Sequence, residues 1–227
     1  EMTDRDVKSE LLQSIQPHVP FDGWSDAAFR AACEDAEISS GLAKAACPRG
    51  AIDLAIAFHQ EGDAEMVARV TGQDQSALRY SEKVAAAIRH RLEAIEDKEL
   101  VRRGATLFAL PNNVADGAKL IWGTSDKIWK VLGDTSEDHN WYTKRATLSG
   151  VYSTTVLFWL GDESPEQEAT WSFLERRIDD VMRVEKIKAK LSENQFISSV
   201  MKGPLSLLSR IRAPGSRPED MPGSWSR

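Results

Sequence analysis

Apolar residues recur every three or four positions along most of this chain, whereas the alternating pattern typical of strands is nearly absent. This spacing predicts an all-α protein. The first four predicted helices are long, short, short and long: about 4–16, one capped by Ser25, one opening at Ser39 or Ser40, and about 49–62. This order, with a tight turn between the two short helices, is typical of a helix-turn-helix subdomain.

The periodicity beyond residue 72 predicts a helical bundle. Helices are expected over about 75–101 and 105–110, and a third starts after Pro111, with 116–132 as its clearest part. The next helix is expected to run from a cap at Thr135 or Ser136 to about residue 160. A further helix is expected after Ser164, which can act as its cap, with a proline in the first turn. We find no internal repeat and no heptad long enough for a coiled coil.

Residues beyond 190 follow a different pattern, a basic amphipathic helix and then a proline-rich tail. One half of the helical wheel is apolar and consists of Phe196, Ile197, Val200, Met201, Leu205, Leu207, Leu208 and Ile211. Such a helix can lie in a membrane interface, or it can pack on its own bundle, and Pro204 would kink it. The chain thus divides into a helix-turn-helix-like subdomain (1–72), a bundle (73–190), an amphipathic helix (191–212) and a disordered tail (213–227).

One predicted helical face mixes charged and aromatic residues. Asp138, Trp141, Tyr142 and Arg145 fall at i, i+3, i+4 and i+7. A stripe built only for packing rarely contains unpaired charges, and clustered Trp, Tyr and Arg are typical of a protein-binding hot spot. The alternative is that both rings belong to the core, with Asp138 and Arg145 as an exposed charge pair at its edge.

Charge and composition narrow the classes of function. The formal net charge is −6, but residues 1–75 hold 14 acidic and 6 basic residues, whereas residues 186–227 hold 3 acidic and 8 basic ones. The acidic segment would repel nucleic acid, so the helix-turn-helix pattern predicts a scaffold that does not bind DNA. No apolar run approaches transmembrane length and no targeting pattern opens the sequence, so we expect a soluble protein or one that lies on a membrane.

Motifs for catalysis are missing from the sequence. The two cysteines, Cys33 and Cys47, have no metal-type or redox-type spacing, and the four histidines are scattered. No glycine-rich phosphate loop, Gly-x-Ser-x-Gly, His-Glu-x-x-His or Glu-x-x-His motif occurs. We therefore expect a protein that is not an enzyme and that holds no metal.

Four motifs carry a resemblance to a known family. They are Phe108-Ala109-Leu110-Pro111-Asn112-Asn113, Trp129 with Gly133-Asp134, the run Asp138-x-Asn140-Trp141-Tyr142-Thr143-Lys144-Arg145-Ala146, and Trp171-x-Phe173-Leu174-Glu175-x-Arg177. Together, over about 107–182, they resemble the lipid-binding accessory protein family of ubiquinone (coenzyme Q) biosynthesis.

The resemblance implies a TetR-like fold that does not bind DNA and that often forms a homodimer. It implies no cofactor other than a bound lipid, held in a cavity of the bundle that accepts isoprenoid quinone intermediates, other isoprenoid lipids and phospholipids. It also implies a terminal helix that docks on the membrane, and a partner, the di-iron demethoxyubiquinone hydroxylase, to which lipid is presented. The location implied is cytoplasmic and peripheral to a bacterial inner membrane, or the matrix face of the mitochondrial inner membrane.

The same resemblance assigns roles to single residues. Asp138, Trp141, Tyr142 and Trp129 match the partner-binding patch, and Arg145 matches a lipid head-group contact. For the apolar wall of the cavity we predict Leu120, Ile128, Tyr152, Val156 and Phe173. The rival hypothesis is a TetR-type transcriptional regulator whose cavity binds a small-molecule inducer.

Overall fold

The computed structural model describes residues 3–193, which form ten α-helices and no strand. In chain order they are α1 (Asp4–Ile15), α2 (Val19–Asp22), α3 (Asp26–Asp35), α4 (Ser40–Ala46), α5 (Ala51–Gly72), α6 (Tyr80–Glu93), α7 (Lys98–Ala109), α8 (Val114–Val131), α9 (His139–Leu160) and α10 (Glu168–Glu193). The all-α prediction is confirmed. The predicted apolar membrane face, from Phe196 to Ile211, and the tail lie outside the described residues.

The first hydrophobic core packs α1, α3, α4 and the N-terminal half of α5. The inward face of α1 consists of Val7, Leu11, Leu12 and Ile15, all essentially buried. The α1 N-terminus is closed by a reciprocal pair, in which the Thr3 hydroxyl accepts from the Asp6 amide and the Asp6 carboxylate accepts from the Thr3 amide. Ser25 and Ser39 cap α3 and α4 through their side chains, as predicted.

The second core packs the C-terminal half of α5 with α6, α8, α9 and α10. Its largest fully buried side chains include Met66, Ile88, Ile128, Trp159 and Leu174. Because α5 supplies residues to both cores, it ties the two halves of the chain together. Within residues 3–193, no helix has both the length and the apolar character that a membrane span requires.

Two predicted helices have wrong boundaries, and one helix was not predicted. The helix expected to end at Gly62 continues to Gly72, because tertiary contacts outweigh the low helix propensity of one glycine. The single helix expected over 75–101 is instead two, because Asp97 accepts the Glu99 amide and starts α7 as a separate helix. The short helix α2, with a proline in its first turn, was not predicted.

The start of α9 also differs from the prediction of Thr135 or Ser136 as its cap. Asp138 is the N-cap, and its carboxylate accepts the Asn140 amide at 3.0 Å. The Ser136 hydroxyl instead donates to Asp134 at 2.8 Å. The short polar residues before Asp138 therefore form a turn between α8 and α9.

Candidate functional site

An apolar cavity of about 440 Å³ lies where the two cores meet. Helices α5 to α9 and Trp24 surround it, and its larger apolar side chains are Trp24, Phe58, Leu92, Ile95, Leu100, Val101, Phe108, Leu120, Ile121 and Val156. The indole N–H of Trp24 donates to the Leu100 carbonyl at 3.0 Å, which fixes α7 over the first core. A cavity of this volume and lining suits a hydrocarbon ligand.

Exposed apolar residues border the cavity where α7, α8 and α9 reach the surface. Val114 and Leu157 line the cavity and are 51% and 65% exposed. Ala105, Ala109 and Ala118 line the same region and are also exposed. Large exposed apolar side chains are costly in water, so this border is suited to contact with an apolar phase or an entering apolar ligand.

A buried ion pair interrupts the apolar lining where α5 faces α6. Arg91 lines the cavity and is 2% exposed; its Nε donates to Asp63 Oδ1 at 2.8 Å and its Nη2 to the His59 carbonyl at 3.0 Å. The Thr124 hydroxyl and the Lys127 ammonium donate to the same carboxylate at 2.7 and 3.0 Å. Buried charges persist only when they are paired and hydrogen-bonded, and Asp63 meets that condition.

His59, which also lines the cavity, is the neutral member of this cluster. Its Nε2 lies 2.7 Å from Thr124 Oγ1, and a Thr124 hydroxyl that donates to Asp63 accepts a hydrogen bond from Nε2. Burial, reinforced by the charge of Arg91, lowers the pKa of His59 from its ordinary value to about 4. Burial acts to raise the pKa of Asp63, but its neighbours hold that pKa below the ordinary value.

Gly62 makes room for the Arg91 guanidinium. A Cβ atom at position 62 would lie 2.5 Å from Nη1 and 2.6 Å from Cζ of Arg91. Only glycine therefore lets the guanidinium lie directly against α5. This explains why a glycine is kept in the middle of a 22-residue helix.

A second feature is an aromatic patch at the surface, formed by Trp122 of α8 with Trp141 and Tyr142 of α9. The ring centroids are 6.0 Å apart for Trp122 and Trp141, 6.5 Å for Trp122 and Tyr142, and 4.8 Å for Trp141 and Tyr142. Each ring is half-buried, and the Asp138 side chain beside them is 55% exposed. Trp129 lies outside the patch, where it stacks on Tyr80 at 5.8 Å and donates to the Lys144 carbonyl.

Arg145 is buried beneath this patch, so the idea of an exposed charge pair with Asp138 is wrong. It is 1% exposed, and its Nε donates to Asp126 at 2.8 Å while its Nη1 donates to Asp134 at 3.1 Å. Burial acts to raise the pKa of Asp134, but hydrogen bonds from Lys144, Ser136 and Arg145 lower it to about 2. Arg145 thus joins α8 to the start of α9, and it does not line the cavity.

The structure brings together three of the five residues predicted for the cavity wall. Leu120, Tyr152 and Val156 line the cavity. Ile128 does not, because eight residues on from Leu120 along α8 the side chain has rotated by about 80° and packs in the second core. Phe173 does not either, because it belongs to α10, which contributes no lining residue, and it stacks on Phe158 at 4.5 Å. That lipid contacts these residues stays a prediction.

The buried cluster of His59, Asp63 and Arg91 was not predicted. The sequence does contain a signal for it, since Val84, Ala87, Ile88 and Arg91 share one face of α6. A charge on an otherwise apolar face is the same anomaly that singled out Arg145. Its partner Asp63 lies 28 residues earlier, a pairing that helical spacing cannot show.

The N-terminal subdomain carries a wider concavity of about 530 Å³ with a mixed lining. Asp26, Arg30, Glu34 and Lys44 line it together with Cys33 and Cys47. Burial raises the pKa of Cys47 to about 11, so its thiol stays protonated and unreactive near neutral pH. Across the part of the chain that the structure describes, no group of His, Cys, Asp and Glu side chains could hold a metal ion.

The fold matches that of a bacterial regulator. The TetR transcriptional regulator from Nitrosomonas europaea superposes with a TM-score of 0.61 over 76% of this chain and 95% of its own, at 16% sequence identity. Fold and cavity therefore define an all-helical, TetR-like protein with an interior apolar site. At this level of identity the similarity concerns the fold alone.

Similarity in sequence points to a narrower group of proteins than similarity in fold does. The COQ9 family model matches residues 114–185, which include α8, α9 and the aromatic patch. Ubiquinone biosynthesis protein COQ9-A of Xenopus laevis is 28% identical over 218 residues, covering 92% of this chain and 68% of the frog protein. The Xenopus tropicalis and human COQ9 proteins are 30% and 28% identical over 191 residues, and the chain spans 59% of each. These matches confirm the resemblance to the COQ9 family.

Proposed function

We propose that this chain is a non-catalytic accessory protein of ubiquinone biosynthesis that binds an isoprenoid quinone intermediate in the cavity between its two cores. The cavity is the observation that carries the proposal. About 440 Å³ of space is retained in a region otherwise packed with apolar side chains. An empty apolar cavity destabilises a fold, so its retention is best explained by a ligand that fills it.

The border of the cavity supports a lipid as that ligand. Val114 and Leu157 are large, exposed and continuous with the cavity lining. A hydrophobic chain could pass from a membrane surface into the interior along these apolar side chains. We therefore place the protein on the surface of an inner membrane, bacterial or mitochondrial. The COQ9 proteins of frog, cow, rat and human are named as mitochondrial.

The aromatic patch is the proposed docking surface for the demethoxyubiquinone hydroxylase. Its three rings lie within 6.5 Å of one another, and the exposed Asp138 carboxylate borders them. Half-exposed Trp and Tyr at the centre of a surface cluster are the residues that contribute most to protein–protein affinity. The patch and the cavity share helices α8 and α9, so a docked partner would lie next to the lipid.

A TetR-type regulator is the less favoured function. The helix in the recognition position, α4, carries Lys44 as its one charged residue. The surrounding segment of residues 1–75 holds 14 acidic and 6 basic residues, which opposes binding to phosphate backbones. A TetR-like fold alone does not imply DNA binding.

A bulky substitution in the cavity wall should displace the lipid. Val156→Trp places an indole in the cavity, and we expect the isoprenoid quinone recovered with the purified protein to fall about tenfold or more, as expected for an affinity loss above ~1.4 kcal/mol. Mass spectrometry of the co-purified lipid measures this. Thr154→Trp is the matched control, because Thr154 is exposed on the same helix and does not line the cavity. Equal lipid in both variants, or none in the unmodified protein, would overturn the proposal.

Truncating the central aromatic ring should release the partner. We expect Trp141→Ala to weaken capture of the purified hydroxylase about thirtyfold or more, because a central Trp in an interface contributes ≥ ~2 kcal/mol. Phe21→Ala is the control, since Phe21 is an 83% exposed ring on α2. Pull-down titration and circular dichroism of both variants measure affinity and folding. An unchanged affinity in a folded Trp141→Ala variant would rule out the patch.

A further inference from the structure

We propose that Arg91 is the polar recognition residue of the cavity, and that its Nη1 group donates a hydrogen bond to an oxygen acceptor at one end of an otherwise apolar ligand. The inference rests on the proposed lipid-binding function and goes beyond it. It identifies the atom that selects the ligand and the chemical group that the ligand must carry.

The hydrogen bonds of Arg91 leave one nitrogen unused. Nε donates to Asp63 and Nη2 donates to the His59 carbonyl. Nη1 is buried and has no hydrogen-bond partner in the described part of the chain. A buried donor without a partner costs roughly 1–3 kcal/mol, more for a charged group, so native proteins rarely keep one without a use. Arg91 lines the cavity, and we infer that an oxygen of a ligand bound there is the missing partner of Nη1.

The neighbouring acceptors are already occupied. Asp63 Oδ1 accepts from Arg91 and Thr124, and Asp63 Oδ2 accepts from Lys127. With His59 neutral, the cluster of Arg91, Lys127 and Asp63 carries one net positive charge. Burial also raises the pKa of the nearby Tyr152 phenol, which keeps its proton. The polar part of the cavity therefore offers donors and positive charge, and it favours an electron-rich oxygen in the ligand.

The position of the guanidinium is fixed before a ligand arrives. The pairing with Asp63 holds Nε, and the close contact with Gly62 holds the face of the group against α5. A fixed donor loses little conformational entropy on binding and so contributes more to affinity. The remaining lining is mostly apolar, so the cavity recognises one polar end and a hydrocarbon body. A quinone carbonyl and a carboxylate both supply the required oxygen.

Three probes with similar hydrocarbon chains separate these possibilities: decylbenzoquinone, dodecanoate and decylbenzene, which has no oxygen. The variant is Arg91→Lys, which can still pair with Asp63 but lacks Nη1. We expect its affinity for at least one oxygen-bearing probe to fall about tenfold or more, with decylbenzene binding changed less than about twofold. Lys127→Gln is the matched control, because it removes a cation that pairs with the same carboxylate and Lys127 does not line the cavity. It should leave the affinities for decylbenzoquinone and decylbenzene within about threefold of the unmodified protein.

The outcomes are distinct. A loss confined to the quinone or to the carboxylate supports the proposal and identifies the ligand oxygen, and a loss for both shows a general acceptor site. If Arg91→Lys binds all three probes with the affinities of the unmodified protein, Arg91 does not have the proposed role. That result would leave the proposal of lipid binding standing. Failure of all three probes to bind the unmodified protein contradicts the proposed function itself. If Arg91→Lys does not fold, the double variant Asp63→Leu/Arg91→Met lacks the guanidinium and must show the same selective loss.

Discussion

Replacing Arg145 by methionine should lower the free energy of unfolding by about 3–5 kcal/mol, the cost of removing one member of a buried ion pair. Arg145 is 1% exposed and its guanidinium binds two carboxylates from different segments, Asp126 and Asp134. Methionine fills similar space but leaves Asp134, whose side chain is 3% exposed, with Lys144 as its one remaining cation. Urea denaturation at neutral pH, followed by circular dichroism, measures the loss.

An exposed ion pair provides the comparison. Arg69 pairs with Glu65 one turn away at 2.8 Å, and both side chains are more than one-third exposed. Arg69→Met should therefore cost less than about 1 kcal/mol. If the two substitutions cost the same, the network around Arg145 contributes no more than a surface ion pair. That result would contradict the structural role given to Arg145 here.

The Arg145 network also positions the aromatic patch. The guanidinium carbon lies 4.1 Å from the centroid of the Trp141 ring, and Nη1 donates to the Trp141 carbonyl. These contacts hold the first turn of α9 and orient one ring of the patch. The resemblance assigned Arg145 to a lipid and Trp141 to a protein partner. In the structure the two residues form one unit, with the arginine underneath and the ring at the surface.

Most of the fold could be predicted from local sequence signals. Ser25 and Ser39 precede apolar periodic segments, and both cap helices. The break between α6 and α7 was missed because residues 94–97 contain neither glycine nor proline, the usual signals of a helix end. That break has a structural consequence. It lets α7 leave the direction of α6 and contribute Leu100, Val101 and Phe108 to the cavity.

The candidate site was predicted only in part, because its key contacts join residues far apart in sequence. Tyr152 and Val156 follow from the spacing of one helix. The cavity itself needs α7 packed over the first core, and the pair of Asp63 and Arg91 needs α5 packed against α6. Arg145 shows most clearly which contacts the sequence does not predict. Its position on a mixed face was visible in the sequence, but its burial depends on Asp126 and Asp134, which helical periodicity does not connect to it.

Replacing Asp63 by leucine should lower the free energy of unfolding by about 3–5 kcal/mol, as much as we expect for Arg145→Met. The substitution removes the carboxylate that Arg91, Lys127 and Thr124 share, and it leaves the 2% exposed guanidinium of Arg91 without a counter-charge. Lys127 can turn to solvent because its side chain is 41% exposed, and Thr124 can donate to the Leu120 carbonyl at 3.2 Å. The loss should therefore come chiefly from Arg91, and urea denaturation measures it.

The double variant Asp63→Leu/Arg91→Met tests that assignment, because an apolar replacement of a whole buried pair is often neutral or stabilising. We expect it to recover to within about 1–2 kcal/mol of the unmodified protein, which corresponds to a large favourable coupling in a double-mutant cycle. If the losses of unfolding free energy caused by Asp63→Leu and Arg91→Met are instead additive, the loss in Asp63→Leu does not come from an unpaired buried charge. Recovery would mean that the fold does not require this ion pair. The reason to keep a guanidinium at the cavity wall would then lie in the ligand that it binds.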